Sequence, residues 1–149
     1  MDIFIREVLA TDAGALADLM SQLGYSTSPI EMEARLNKIL AHKDYMTWVA
    51  YTNSGLAGVI GSARGLAYES NFVHIRILVL IVDEQYRRMG IAKKLLDYVE
   101  TWAKANEAKV ILVNAGNRVE RKQAHLFYPQ MGFNHKSSGY VKLLRDNLN

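Results

Sequence analysis

One turn of the chain, residues 85–92, combines the residue types that bind an anion. It follows an apolar run and opens a helix, so unpaired backbone N–H groups and the positive end of the helix dipole face one point. Gly90 lacks a Cβ and Ala92 has a small side chain, which lets an anion approach the main chain closely. The positive side chains nearby are Arg87, Arg88 and Lys93. This pattern predicts a phosphate site.

A purely structural reading of the same turn is also open, since many strand-to-helix turns contain a glycine. The glycine spacing matches neither the Walker loop nor the Rossmann fingerprint. The residues of the turn alone therefore leave a phosphate site and a simple glycine turn as alternatives.

Composition limits the classes of protein that come into question. The chain has 149 residues, half of them apolar, so we expect a single domain over residues 1–149. No segment approaches the roughly 18 apolar residues of a membrane span, and the N-terminus lacks a signal-peptide pattern, so we expect a cytoplasmic protein with no membrane partner. Cysteine is absent, which excludes disulfides, thiolate metal sites and a cysteine nucleophile. We predict no metal site.

The net charge of +3 is unevenly distributed. Residues 1–75 carry 5 Lys and Arg against 8 Asp and Glu, which gives −3, whereas residues 76–149 carry 13 against 7, which gives +6. A basic second half suits an anionic partner such as a nucleotide phosphate, although solvated helix faces also explain many single lysines. Nucleic acid is the weaker candidate, because no aromatic residues are interleaved in a basic stripe.

Hydrophobic periodicity predicts alternating strands and helices around this turn. Helices are predicted at 12–24, 28–41, 91–103 and 118–128, the second opened by a capping box at Ser28 and Glu31. Strands are predicted at 3–8, 46–52, 56–67, 73–82, 110–113 and 139–144, with room for another near Phe133. Residues 73–82 should form a central strand covered on both faces. This order predicts an α/β (α+β) domain with a mixed sheet and helices on both faces.

Two segments carry a resemblance to a known family. Residues 80–92 resemble motif A of the GNAT N-acetyltransferases, Arg/Gln-x-x-Gly-x-Gly/Ala, which Arg87, Gly90 and Ala92 match. Residues 124–133 resemble motif B, Ala-x-x-Phe-Tyr-x-x-x-Gly-Phe. The matching residues are Ala124, Phe127, Tyr128, Gly132 and Phe133. Arg6, Asp12 and the turn Leu23-Gly24-Tyr25 are also similar to the family, so the likeness covers nearly the whole chain.

The resemblance implies the GNAT fold, a mostly antiparallel mixed sheet whose parallel strands 4 and 5 splay apart at a bulge. It implies acetyl-CoA as cosubstrate, with its pantetheine arm between those strands and its pyrophosphate on the amides of the turn. The implied cofactor-binding residues are Leu80, Ile81, Val82, Arg87, Arg88, Met89, Gly90, Ile91, Ala92, Lys93, Asn114, Asn117 and Arg121. Arg121 departs from the asparagine common at its position, for which Asn114 or Asn117 would substitute.

The implied activity is transfer of an acetyl group to a primary amine by direct attack in a ternary complex. Tyr128 matches the tyrosine that faces the thioester sulfur, although an i, i+3, i+4, i+7 pattern also fits simple packing. Pro129 disfavours helical geometry at Tyr128. His74 is the residue nearest in type to a base, because Arg76, Ile77 and Leu78 stand where relatives place Glu or His.

Other assignments of the base and of the function remain open at this stage. Glu69, Asp83 or a water chain could replace His74 as base, and a histidine at a strand start is often structural. The domain could also bind acyl-CoA without turnover, as a sensor or interaction module. The acceptor, a small-molecule or peptidyl amine, and the oligomeric state, including a homodimer, are not determined by these residues.

Overall fold

The computed structural model describes residues 2–114, 122–136 and 139–144. The chain forms two compact units, Met1–Val113 and Asn114–Asn149, and the single domain over 1–149 stays a prediction. The strands of the first unit are β1 (Phe4–Glu7), β2 (Tyr45–Thr52), β3 (Gly55–Leu66), β4 (Val73–Val82) and β5 (Ala108–Val113). Its helices are α1 (Ala13–Gln22), α2 (Pro29–Leu40) and α3 (Ile91–Ala105). Helix α4 (Lys122–Gln130) belongs to the second unit.

The five strands form one sheet in the order β1-β2-β3-β4-β5. Neighbouring strands from β1 to β4 are antiparallel, and β4 and β5 are parallel. A parallel pair needs a crossover connection, which α3 supplies. The prediction of a mixed, mostly antiparallel sheet is therefore confirmed.

Helices cover both faces of this sheet, as predicted. Successive residues of a strand point to opposite faces, and neighbours on β2 show this directly. Val49 is fully buried in the cluster formed with α1 and α2. Trp48 packs its ring against Tyr98 and Trp102 of α3, with centroids 5.6 and 5.3 Å away.

Helix α3 lies very close to β3 at Gly58. A Cβ placed on Gly58 would stand 2.9 Å from the carbonyl oxygen of Ile81 and 3.3 Å from side-chain atoms of Ile91 and Leu95. These distances are shorter than ordinary van der Waals contacts. Because Gly58 has no side chain, α3 can pack this close to the sheet. Since Ile91 is the first residue of α3, Gly58 also positions the start of that helix.

The predicted capping box of α2 is present. The Ser28 hydroxyl accepts a hydrogen bond from the Glu31 amide at 3.2 Å, and the Glu31 carboxylate accepts one from the Ser28 amide at 3.0 Å. Two donors at the helix start are thereby satisfied. These bonds also hold the pKa of Glu31 below its ordinary value, with Arg35 adding a smaller effect.

An ion pair joins β1 to the segment that precedes α1. The Arg6 guanidinium donates to both carboxylate oxygens of Asp12 at 2.8 and 2.9 Å, and the Leu9 amide donates to the same carboxylate at 2.8 Å. The hydrogen bond from Arg6 is the main cause that lowers the pKa of Asp12 below its ordinary value. The pair fixes the path of the chain between the first strand and the first helix.

Helix α4 ends in a Schellman motif built by the residues of the second sequence motif. The Gly132 amide donates to the Pro129 carbonyl at 3.1 Å, and the Phe133 amide donates to the Tyr128 carbonyl at 3.0 Å. Gly132 has φ +90°, the left-handed conformation that favours glycine. The ring of Phe133 lies against that of Tyr128, with centroids 5.4 Å apart. Pro129 sits inside the last turn of the helix, so helical geometry at Tyr128 is retained despite it.

Three sequence-based expectations are wrong in the described residues. Residues 139–144 join no strand, and neither do residues 133–136 near Phe133. Tyr140, Val141 and Leu144 are almost fully exposed, so no strand or core within the described ranges covers the apolar side chains of this segment. Strand β4 is also not covered on both faces throughout, because Leu78 is half exposed.

Candidate active site

The turn between β4 and α3 is held by side chains on both sides of it. A short 3-10 helix, Glu84–Tyr86, follows Asp83, whose carboxylate accepts a hydrogen bond from the Gln85 amide at 2.9 Å. The Gln22 side chain of α1 donates to Asp83 at 3.2 Å and accepts from the Glu84 amide at 3.0 Å. The turn is thus anchored to the first helix as well as to the central strand.

Two left-handed residues shape the rest of this turn. Arg88 has φ +66° and Gly90 has φ +77°. Gly90 is the N-cap residue of α3, and no side chain caps this helix. In the described part of the chain, the first backbone bond of α3 runs from the Lys94 amide to the Gly90 carbonyl, and no protein acceptor is recorded for the amides of residues 88–93. Unpaired amides at the start of a helix, together with the helix dipole, can bind an anion.

Few side chains of the turn compete with an outside ligand for these amides. Arg87, Arg88, Met89 and Gly90 are exposed, and the first turn of α3 contains no acidic residue. Lys93 instead forms an ion pair with Asp97 at 3.0 Å. Ile91 is buried and anchors the helix in the core, and Ala92 is partly buried. The positive charge at the turn therefore comes from Arg87 and Arg88 and from the main chain.

Among the residues that the structure describes, strands β4 and β5 are joined only up to Ile77, and the end of β4 beside this turn is not paired with β5. Their parallel pairing ends where Ile77 lies opposite Val113. On the other edge of β4, Val79 pairs with Gly61 and Ile77 with Ser62, so Leu78 is an extra residue that forms a bulge. From Leu78 to Val82, the described residues provide no partner for the edge of β4 that faces β5.

The predicted pantetheine residues Leu80, Ile81 and Val82 lie on this unpaired segment. The side chain of Ile81 is buried in the core with Val59 and Val79. A ligand in the gap would therefore meet the main chain of Ile81 and not its side chain. Asn114 follows β5 and is exposed, whereas Asn117 and Arg121 lie outside the described residues.

A groove of about 460 Å³ lies over β4 and β5, before the point where they separate. Its lining residues are Leu66, Ala67, Tyr68, Glu69, Phe72, His74, Arg76, Val110 and Leu112. His74 lies directly opposite Gly65, and a Cβ on Gly65 would stand 2.5 Å from the His74 Nε2 atom. The missing side chain at Gly65 therefore makes the space that the imidazole uses.

A second, smaller cavity of about 80 Å³ lies between the sheet and the helices α1 and α2. Leu16, Met20, Met32 and Leu36 line it from the helices. Thr47, Val59 and Leu78 are among the residues that line it from the sheet. The bulge residue Leu78 thus borders an almost wholly apolar space.

Tyr128, the predicted catalytic tyrosine, belongs to the second unit. Its ring is partly buried and makes edge contacts with Phe127 and Phe133, with centroids 5.3 and 5.4 Å away. The Schellman motif fixes the backbone at this position. These contacts, within α4 and the turn that follows it, are ones that a phenylalanine at this position would keep.

The family resemblance implied a bulge at the parallel strands but not its position at Leu78, and sequence reasoning missed the groove around Arg76. The pattern of β4 could not show the bulge, because residues 77–82 are apolar on both faces and a slip of one residue leaves no visible change. Alternation of His74 and Arg76 within an apolar run was the available sign of the groove. No group of three His, Asp or Glu residues in the described ranges could hold a metal ion, and no helix there is long and apolar enough to span a membrane.

Comparison with known proteins agrees with this geometry. Residues 43–135 match the family model described as Acetyltransferase (GNAT) domain. An uncharacterized N-acetyltransferase of Bacillus subtilis (strain 168), YhdJ, is 28% identical over 129 residues, which cover 86% of each chain.

Solved structures share the fold over nearly the full length. A GNAT family acetyltransferase of Staphylococcus aureus superposes with a TM-score of 0.82 and 28% identity, covering 97% of this chain and 100% of the other. Glucosamine-6-phosphate N-acetyltransferase of Arabidopsis thaliana gives a TM-score of 0.80 at 20% identity, with 97% and 100% covered. Because the family model matches more than half of the residues, this chain belongs to the GNAT family of acetyltransferases.

Proposed function

We propose that this protein transfers the acetyl group of acetyl-CoA to a primary amine by direct attack in a ternary complex. The observation that carries the proposal is the run of amides at residues 88–93, which follow the end of β4. Among the described residues, these amides have no protein acceptor and the nearby edge of β4 has no strand partner. A pyrophosphate needs several donors at one point, and a pantetheine arm needs a free strand edge. The chain offers both next to each other.

Acetyl-CoA would supply an activated thioester when bound. The amides of the turn would bind its phosphates, with Arg87 and Arg88 adding positive charge. The main chain of Leu80 and Val82 would bind the extended arm, since that edge of β4 has no strand partner in the described residues. Such binding uses the backbone for the most part, so it depends on the shape of the turn more than on single side chains.

Two side chains are proposed for proton transfer. Tyr128 would hydrogen-bond the departing sulfur and donate a proton to it, and His74 would accept the proton of the amine. A phenol with a pKa near 10 and a thiol near 8.5 make full transfer slightly uphill, so the hydrogen bond itself contributes. The packing of His74 against Gly65 is the competing explanation for its position, and a water chain can serve as base in its place.

The acceptor is proposed to be an amine of a small molecule or peptide. Similar folds include enzymes named for aminoglycoside, glucosamine-6-phosphate and ribosomal-protein-alanine acetylation. Such varied acceptors on one fold mean that the groove and the loops around it decide the substrate.

Release of free CoA tests the proposal directly. The chain has no cysteine, so a thiol-reactive dye added to protein, acetyl-CoA and a panel of amines reports only the CoA thiol. We expect release that depends on an amine, and mass spectrometry should detect the acetylated amine. Binding of acetyl-CoA without turnover on any amine would favour the acyl-CoA sensor instead.

A further inference from the structure

The arginines of the described residues divide into paired and unpaired groups. Arg6, Arg35 and Arg64 form ion pairs with Asp12, Glu31 and Asp44. Arg87 and Arg88 have no acidic partner in the described ranges, and we have already proposed that they add positive charge for the phosphates of acetyl-CoA. The remaining described arginine is Arg76, which has neither an ion pair nor a hydrogen bond to any residue that the structure describes.

Arg76 lies on β4, one residue before the parallel pairing with β5 ends. It is opposite Ala63 on β3 and Leu112 on β5, and it is partly buried in the floor of the groove. Glu69 lines the same groove but makes no ion pair with Arg76. Arg76 thus has no carboxylate partner among the described residues, so its guanidinium is available to an anionic ligand that enters the groove.

The other residues that line the groove indicate which kind of molecule would carry this anionic group. Leu66, Phe72, Val110 and Leu112 give it a mainly apolar lining. His74, the proposed base, is on the same face of β4 as Arg76 and makes no hydrogen bond to a described residue. Glu69 disfavours a doubly charged group more than a singly charged one.

We propose that the acceptor is an amine that carries a carboxylate and an apolar side chain, as an apolar amino acid does, and that Arg76 binds the carboxylate. This inference rests on the proposed function, because it assigns the substrate class of the same site. The planar guanidinium matches a carboxylate with two parallel hydrogen bonds. Arg76 is two residues from the bulge at Leu78, so an anion held there keeps the ligand beside the gap between β4 and β5.

The test compares matched acceptors in matched variants. Leucine, methionine and phenylalanine are assayed by CoA release against their amides, which lack the carboxylate charge. Because amide formation also changes the pKa of the amine, the relevant quantity is the ratio of kcat/KM for acid and amide in each variant. R76Q is the test variant. R64Q is the control, because it removes an arginine from the opposite face of the sheet. The Arg64 guanidinium lies 3.7 Å from the Asp44 carboxylate, a long and partly exposed ion pair whose loss should have little effect.

We expect R76Q to lower the acid-to-amide ratio by about ten- to a hundredfold, the loss of a hydrogen bond to a charged group. We expect R64Q to leave the ratio within about twofold of the wild type, and R76K to restore part of it. If the wild type acetylates acids and amides alike, or if R76Q keeps the preference for the acids, the carboxylate assignment is wrong. A preference for phosphoethanolamine over the acids, lost in R76Q, would replace the carboxylate with a phosphate.

Binding measured by calorimetry separates this inference from the proposed function. If the acids bind in the presence of CoA in an Arg76-dependent way but are never acetylated, the carboxylate site stands and the transferase activity is wrong. If amides and other neutral amines are acetylated while the acids neither bind nor react, the transferase stands and the carboxylate site is wrong. If no amine is acetylated and the acids do not bind, both proposals fail.

Discussion

At the scale of single residues, the proposed phosphate site depends on Gly90. Gly90 has a left-handed φ of +77°, and among the described residues no atom outside its chain neighbours lies within 4 Å of where its Cβ would be. A larger side chain therefore has space, at the cost of some backbone strain, and its charge would enter the proposed phosphate site. This makes Gly90 a position where binding can be removed while the fold is kept.

We predict that Gly90→Glu raises the dissociation constant of acetyl-CoA by at least about a hundredfold, because a carboxylate would occupy the place of the pyrophosphate. Calorimetry measures the affinity. Gly55→Glu is the control, since Gly55 also has a positive φ, +125°, and open space around it, but lies in the turn between β2 and β3. Equal affinity in both variants would mean that the phosphate site is elsewhere.

Tyr128 is the second residue whose removal separates two explanations. We predict that Tyr128→Phe lowers kcat by about ten- to a thousandfold and leaves the dissociation constant of acetyl-CoA nearly unchanged, because the hydroxyl acts mainly on charge that develops at sulfur. Phe keeps the contacts with Phe127 and Phe133. Tyr98→Phe, which removes the hydroxyl of a half-exposed tyrosine of α3 and keeps its ring, should have normal kinetics. Lower stability with unchanged kcat would assign Tyr128 to packing alone.

At the scale of elements, the position of α3 depends on its contact with β3. We predict that Gly58→Ala lowers the free energy of unfolding by about 1–3 kcal/mol, because the added methyl group meets the Ile81 carbonyl and two side chains of α3. The displaced helix should also bind acetyl-CoA more weakly. Denaturant unfolding and calorimetry measure the two effects.

The control for this prediction is Gly14→Ala in α1. No atom would lie within 4 Å of the new Cβ, and alanine favours a helix over glycine by about 1 kcal/mol. We therefore expect equal or greater stability in Gly14→Ala. If Gly58→Ala is equally harmless, the close approach of α3 to β3 does not limit this packing.

The sequence predicted most elements because their signals are local. The capping box at Ser28 and the apolar stripe of α3 determine their helices from neighbouring residues alone. The resemblance implied a bulge, but its position at Leu78 was not predictable, because it depends on pairing with β3 and an all-apolar segment hides the change of register. The strand expected at 139–144 failed for a related reason, since a β-forming composition cannot form a strand without a partner.

The proposed phosphate site uses backbone groups, which a local pattern can indicate. A glycine turn before a helix predicts free amides, and the amides of residues 88–93 have no protein acceptor among the described residues. The groove at Arg76 was not predictable, because its lining comes from β3, β4, β5 and the loop after β3, and the pairing state of an arginine depends on residues distant in sequence. Whether an arginine such as Arg76 has an acidic partner can therefore be seen only in the tertiary structure.

At the scale of the whole molecule, acid stability should report the pair of Arg6 and Asp12. The lowered pKa of Asp12 means that the folded state favours its charged form. The stabilisation is therefore complete above the ordinary carboxyl pKa near 3.9 and is lost as the pH falls through the folded value below it. We predict that Asp12→Asn costs about 1–3 kcal/mol at pH 7, as expected for a lost hydrogen bond to a charged group.

The difference between wild type and Asp12→Asn should shrink as the pH falls from 4 toward 2, when Asp12 itself is protonated. Urea unfolding at a series of pH values measures it. Asp97→Asn is a suitable control, because the pair of Asp97 with Lys93 is exposed and contributes little. A difference that stays constant down to pH 2 would contradict the role of the Asp12 charge.

The central claim is that the amides of residues 88–93 bind the pyrophosphate of acetyl-CoA. The most direct measurement is a titration of ¹⁵N-labelled protein with acetyl-CoA, in which the backbone N–H signals are followed by NMR. If these amides bind the pyrophosphate, we predict that the signals of residues 88–93 shift most and that Gly90→Glu abolishes these shifts. The claim would be contradicted if saturating acetyl-CoA left the signals of residues 88–93 in place while those of another part of the chain moved.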